Sequence, residues 1–120
     1  MDKVFINGTG CISPQETAQG GPLLAAPREY EQVRLAAVDP DYKQWIDVKQ
    51  IRRMSHVVKM GGAAASLSME AAGITMPDAI ITGTAYGCLD DTGVFLTKMV
   101  KQQEEMLTPT AFIQSTHNTV

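Results

Sequence analysis

The chain has 120 residues, 44% apolar and 19% charged, an ordinary globular balance and enough for one domain or part of a larger one. Its formal net charge is −3 and its densest basic cluster is Arg52-Arg53, which excludes the one-sided Lys/Arg footprint of a nucleic-acid-binding protein. No apolar stretch is long enough to cross a bilayer, the N-terminus lacks the basic-then-apolar order of a secretory signal, and Cys11 and Cys88 form no CxxC pair.

These features predict a cytoplasmic protein, with no membrane association and with both thiols free and buried. Three Phe, three Tyr and one Trp leave small residues to fill much of any core.

Val4 to Asn7 is β-prone and reads as a buried strand, with Gly8-Thr9-Gly10 as its turn and Cys11-Ile12 continuing extended. Pro14 to Pro27 has no periodicity and reads as a loop. Arg28 to Asp47 is broken by Asp39-Pro40-Asp41 and reads as a surface excursion anchored by Tyr42 and Trp45.

Ile51 to Ala72 is the strongest helix pattern. Met54, Val57, Val58, Gly61, Ala64, Ala65, Ser68 and Ala72 recur at spacings of three and four and predict one small-residue face suited to close approach. Gly73 is its expected stop. Asp78 to Thr84 reads as a second buried strand, with Gly83 to Gly87 as its turn. A helix capped by Asp90 or Asp91 follows, with Phe95, Leu96, Met99, Val100, Met106 and Leu107 on its apolar side. Thr108 to Val120 reads as a loop entering a further apolar element. The predicted class is therefore α/β, a βαβα order with parallel strands and a right-handed crossover.

Few residues carry chemistry on their own. Gly8-Thr9-Gly10 follows a strand, but Ser13-Pro14 stands where a dinucleotide fingerprint needs its third glycine and a helix, so a strand-end turn is expected. Gly83-Thr84-Ala85-Tyr86-Gly87 lacks the Gly-Lys-Ser/Thr ending of a phosphate loop. It either allows close strand–helix packing or lines a substrate cavity, and both readings stand.

Cys88 sits at a helix start, which favours a thiolate. Asp90-Asp91 opposes one and no His is near in sequence, so a structural role is expected for Cys88, as for Cys11. His56 reads as a partly buried helical histidine. His117 lies in a polar irregular segment, and no metal-ligand spacing links the histidines and cysteines. No Gly-x-Ser-x-Gly elbow occurs.

Three segments in order resemble the N-terminal part of the β-ketoacyl-acyl carrier protein synthases. The first is Val4 to Pro14, an apolar run into a Gly-x-Gly turn and Ser-Pro. The second is Arg52-Arg53-Met54-Ser55, the Ala-rich helix to Met69-Glu70-Ala71-Ala72-Gly73-Ile74, and Ile80 to Gly87. The third is Pro109 to Asn118, which is similar to the family's entry into its dimer-interface element. The later motifs are similar to the branch associated with aryl-polyene or flexirubin-type pigments. Two departures are the short Gln15–Gln50 region and Cys88, where many relatives carry a small residue.

The resemblance implies that residues 1–120 are the N-terminal portion of a thiolase-like fold, truncated before the nucleophile. It implies decarboxylative Claisen condensation of acyl chains with malonyl-acyl carrier protein. It also implies acyl carrier protein and a homodimeric or heterodimeric synthase subunit as partners, and no cofactor or metal. None of the family's catalytic residues falls within this chain, so the chain alone is expected to be inactive. Thr84, Tyr86, Ala111 and Phe112 are the expected tunnel or interface lining. Ala111 falls where many synthases carry a bulky aromatic that closes the partner's acyl tunnel. A non-catalytic chain-length-factor-like subunit and a small autonomous binding domain are the alternatives.

Overall fold

The computed structural model describes residues 3–19, 25–103 and 108–116. Its elements are a 3-10 turn at Tyr42–Gln44, α1 at Val48–Ile51, α2 at His56–Ala72, α3 at Leu89–Lys101 and α4 at Pro109–Ser115.

Local chemistry sets most of these boundaries. Asp41 accepts a hydrogen bond from the Lys43 amide at 3.2 Å and opens the 3-10 turn, and Asp47 accepts from the Lys49 amide at 2.7 Å and opens α1. Ser55 opens α2, its hydroxyl accepting from the Val58 amide at 3.4 Å. At the other end Gly73 takes φ +67°, its amide donates to the Glu70 carbonyl, and the Ile74 amide donates to the Met69 carbonyl. That pair of bonds is a Schellman closure, and it requires a residue without the usual penalty at positive φ. In α3 the first turn holds Asp90 and Asp91 and the last holds Lys98 and Lys101, each sign placed against the helix dipole.

Helix α2 carries the N-terminal turn and the Trp45 anchor. Gly8 and Gly10 lie directly on its small-residue face: a Cβ on Gly8 would fall on the Ser68 carbonyl and 2.6 Å from the Ala72 nitrogen, and one on Gly10 would fall on the Ala64 carbonyl. The Ser68 hydroxyl donates to the Gly8 carbonyl at 3.1 Å. Trp45 donates from its indole nitrogen to Glu70 at 2.8 Å, and Tyr42 is buried. Both act as the anchors expected of the 28–47 excursion. Its remaining ties include Val38 to the Ser13 carbonyl at 2.8 Å and a Gln15 side chain that both donates to and accepts from the Arg28 backbone.

Helix α4 packs against α3. Phe112 meets Phe95 edge to face, with ring centroids 5.8 Å apart and planes at 63°. The Thr92 hydroxyl donates to the Ser115 carbonyl at 2.6 Å, and the Gln114 amide donates to the Arg53 carbonyl.

Several expectations are corrected. The α/β class, a βαβα thiolase-like portion with parallel strands, does not hold: every regular element among the described residues is helical. The Val4–Asn7 and Asp78–Thr84 runs are not strands, although their sequences suit strands, because a strand exists only when a neighbour completes its ladder. Neither run is buried either, Val4 being 94% and Ile81 96% exposed.

The main helix begins at His56, not Ile51, because Ser55 caps it and residues 52–54 interrupt the turn. Helix α3 starts at Leu89, with Asp90 and Asp91 inside its first turn and not at its cap. Residues 109–115 form a helix in place of the expected loop, started by Pro109 at its first position. On α2 the fully buried residue is Ala63, off the predicted face, while Gly61 and Ala65 of that face are exposed. Met106, Leu107 and His117 lie outside the described residues.

Candidate functional site

The starts of α2 and α3 converge. Ser55 and Cys88, which precede these helices, are both 3% exposed, and the Ser55 Oγ lies 3.6 Å from the Cys88 Sγ. Above this contact opens a cleft of about 320 Å³ whose lining includes His56 and Met60 from α2 and Tyr86, Cys88, Asp90 and Asp91 from the facing turn. The lining therefore includes an imidazole, two carboxylates, a phenol and a thiol.

His56 is not isolated. Its Nε2 lies 2.8 Å and 3.1 Å from the two carboxylate oxygens of Asp39, and the Tyr42 hydroxyl donates to the same carboxylate at 2.7 Å. Lys59, one turn along α2, sits with its ammonium 5.8 Å from the Tyr42 ring centre. Partial burial acts on Asp39 in the raising direction. The hydrogen bonds from Tyr42 and His56 and the charges of His56 and Lys59 outweigh it and hold the carboxyl below its ordinary value. Burial, then the hydrogen bond to Asp39 and its charge, pushes the Tyr42 phenol well above its ordinary value.

This arrangement orients an imidazole and fastens the 39–42 turn to α2. It does not make a nucleophile–base pair. Among the described residues no hydrogen bond links His56 to Cys88, whose hydrogen-bond partner is Ser55. Asp90 and Asp91 also oppose an anion at that helix start. Among the described residues no group of three or more His, Cys, Asp or Glu is placed to hold a metal ion.

The expected site residues separate into two groups. Tyr86 lines the cleft, 79% exposed, while the Thr84 hydroxyl accepts from the Gly87 amide at 2.9 Å and shapes the turn. Ala111 and Phe112 lie on α4, with Phe112 engaged by Phe95 and neither residue lining the cleft. Cys88 is buried as expected, and Cys11 is exposed against expectation.

Comparison with protein-family models, with curated proteins and with solved structures finds no match to this chain.

Two contributors were missed in the sequence. In the sequence Asp39 reads only as part of a breaker, yet it joins Tyr42 and His56. Ser55 had a readable signal, a serine just before a helical pattern, but its contact with Cys88, 33 positions away, had none.

Proposed function

We propose that these residues form part of a β-ketoacyl-acyl carrier protein synthase and act in decarboxylative condensation of acyl chains with malonyl-acyl carrier protein. The observation that carries this reading is the meeting of two of its motifs. The Gly8-Thr9-Gly10 turn is seated on the Ala-rich helix at Ala64, Ser68 and Ala72, held by the Ser68 bond to Gly8. Both glycines face the backbone of α2, so the turn serves helix packing. The parallel strands implied by the resemblance are no part of this support.

In this reading the partners are acyl carrier protein and a second synthase subunit, and the location is the cytoplasm. Among the described residues no helix is long and apolar enough to cross a membrane. The chain performs no acyl transfer alone, since Cys88 is buried against Ser55 and unpaired with His56.

The test is made in cells carrying the native gene. Its deletion removes one β-ketoacyl product that forms from labelled malonyl-acyl carrier protein. A product profile unchanged by the deletion overturns the reading.

A further inference from the structure

A second cleft, of about 540 Å³, lies between residues 18–19, the 40–45 segment and α2. Its volume falls in the range of small-molecule sites, roughly 300–1,000 Å³. It shares no lining residue with the cleft at the helix starts.

Trp45 is its aromatic wall. The indole N–H donates to Glu70 Oε1 on α2 at 2.8 Å, so the ring is held in place before any ligand arrives. That bond occupies the only polar atom of the ring. The ring faces are left for C–H groups, whose partial positive charge a π face attracts.

Hydrogen-bonding groups with open capacity stand around the ring. The side chains of Gln19 and Gln44 make no hydrogen bond among the described residues, and each offers N–H donors and a carbonyl acceptor. Asp41 engages only Oδ1, with the Lys43 amide at 3.2 Å, and Glu70 only Oε1, with Trp45. The second oxygen of each carboxylate is open, and neither group is in an ion pair among the described residues. Leu67 adds an apolar contact.

This set selects a class of ligand. Among the lining residues there is no Lys, Arg or His, so a phosphate or carboxylate would meet two carboxylates and no balancing charge. A cation would pair the carboxylates and leave the N–H groups of both glutamines unmatched. Hydroxyl groups on a carbon ring suit both kinds of partner: each donates to a carboxylate and accepts from an amide, while the C–H face lies on the indole. We infer that this cleft binds a neutral sugar, stacked on Trp45 and held by Gln19, Asp41, Gln44 and Glu70. Sugar binding here does not depend on the synthase reading.

Trp45 is the chain's one tryptophan, so its fluorescence reports on the cleft directly. The purified chain is titrated with maltose, cellobiose and methyl α-mannoside, and separately with 1,4-diaminobutane and inorganic phosphate. At least one of the sugars should shift the Trp45 emission saturably, and neither charged probe should. Gln19→Ala and Gln44→Ala, both at exposed side chains, should each weaken that binding about two- to tenfold with the helical circular dichroism unchanged. Lys101→Ala, on α3, should leave it as it is. If one glutamine variant loses helix, the other decides. No saturable shift with any of the sugars up to their solubility limits overturns the inference. Saturation by the diamine or by phosphate alone overturns it, as does sugar binding indifferent to both glutamine changes.

Discussion

The Ser55 hydroxyl and the Cys88 thiol lie 3.6 Å apart, each on the residue that opens a helix, so one buried contact joins the starts of α2 and α3. The helices are separated by 16 residues of loop, including an exposed apolar run. The contact therefore fixes a junction that no local propensity could fix.

Thiol labelling reads this contact directly. Cys11 is exposed and Cys88 buried, so one thiol should react at once with an aromatic disulfide and the second only on unfolding. Ser55→Ala removes both the cap and the thiol's partner and should destabilise the protein by about 1–2 kcal/mol. It should also speed labelling of Cys88. Two equally fast thiols in the unmodified protein would contradict the buried junction.

Glycine substitutions should rank by what faces them. Gly8→Ala and Gly10→Ala drive a methyl into the backbone of α2, which cannot move aside as a side chain tip can, and should cost about 1–3 kcal/mol or more. Gly61→Ala meets no atom within 4 Å beyond its own helix and should stabilise α2 by up to about 1 kcal/mol. Urea unfolding of the three variants checks the order. Equal effects would mean that the turn does not rest on the helix.

Acid should loosen the 39–42 turn from α2. The Asp39 carboxyl is held below its ordinary value, so the folded state favours the carboxylate. Its contribution is complete above the ordinary aspartate value of about 3.9 and is lost as pH falls through the lower folded value. The Tyr42 phenol is raised, so its contribution is complete below its ordinary value of about 10 and is lost as pH rises further. Asp39→Asn should flatten the acid limb of a stability-versus-pH curve and lower the Tyr42 titration measured by ultraviolet absorbance. An unchanged Tyr42 titration in that variant would remove Asp39 as its cause.

The proposed synthase role makes Ala111 informative. Ala111 is half-buried on α4, and the neighbouring Phe112 is already engaged with Phe95. In the active synthase, Ala111→Phe should shorten the longest acyl product while leaving short-chain turnover nearly intact, because a ring fills volume that a methyl leaves open. Product lengths by mass spectrometry check this. An unchanged distribution would show that Ala111 borders no acyl tunnel.

The helices were legible to different degrees. The three- and four-residue recurrence from Met54 to Ala72 identified α2, and Gly73 identified its end, since both signals act within a few residues along the chain. Its true start depended on Ser55, a signal present but outweighed by apolar spacing that ran on to Ile51. Helix α4 was missed because Thr108 and Pro109 mark a helix start as readily as a loop, and its support comes from Phe95 and Thr92 on another helix.

Local residue preferences fix the glycine stop of α2, the Ala64, Ser68 and Ala72 seats on its small-residue side, and the anchoring by Tyr42 and Trp45. Each of these follows from the conformational preferences or polarity of residues within a turn or two. That the Val4–Asn7 and Asp78–Thr84 runs stand open, that Asp39 joins Tyr42 to His56, and that Ser55 meets Cys88 follow from the folded arrangement alone. Strand pairing and side-chain partnership are relations between distant segments. Apolar alternation and local spacing state what a segment can do, and the neighbour it finds settles what it does.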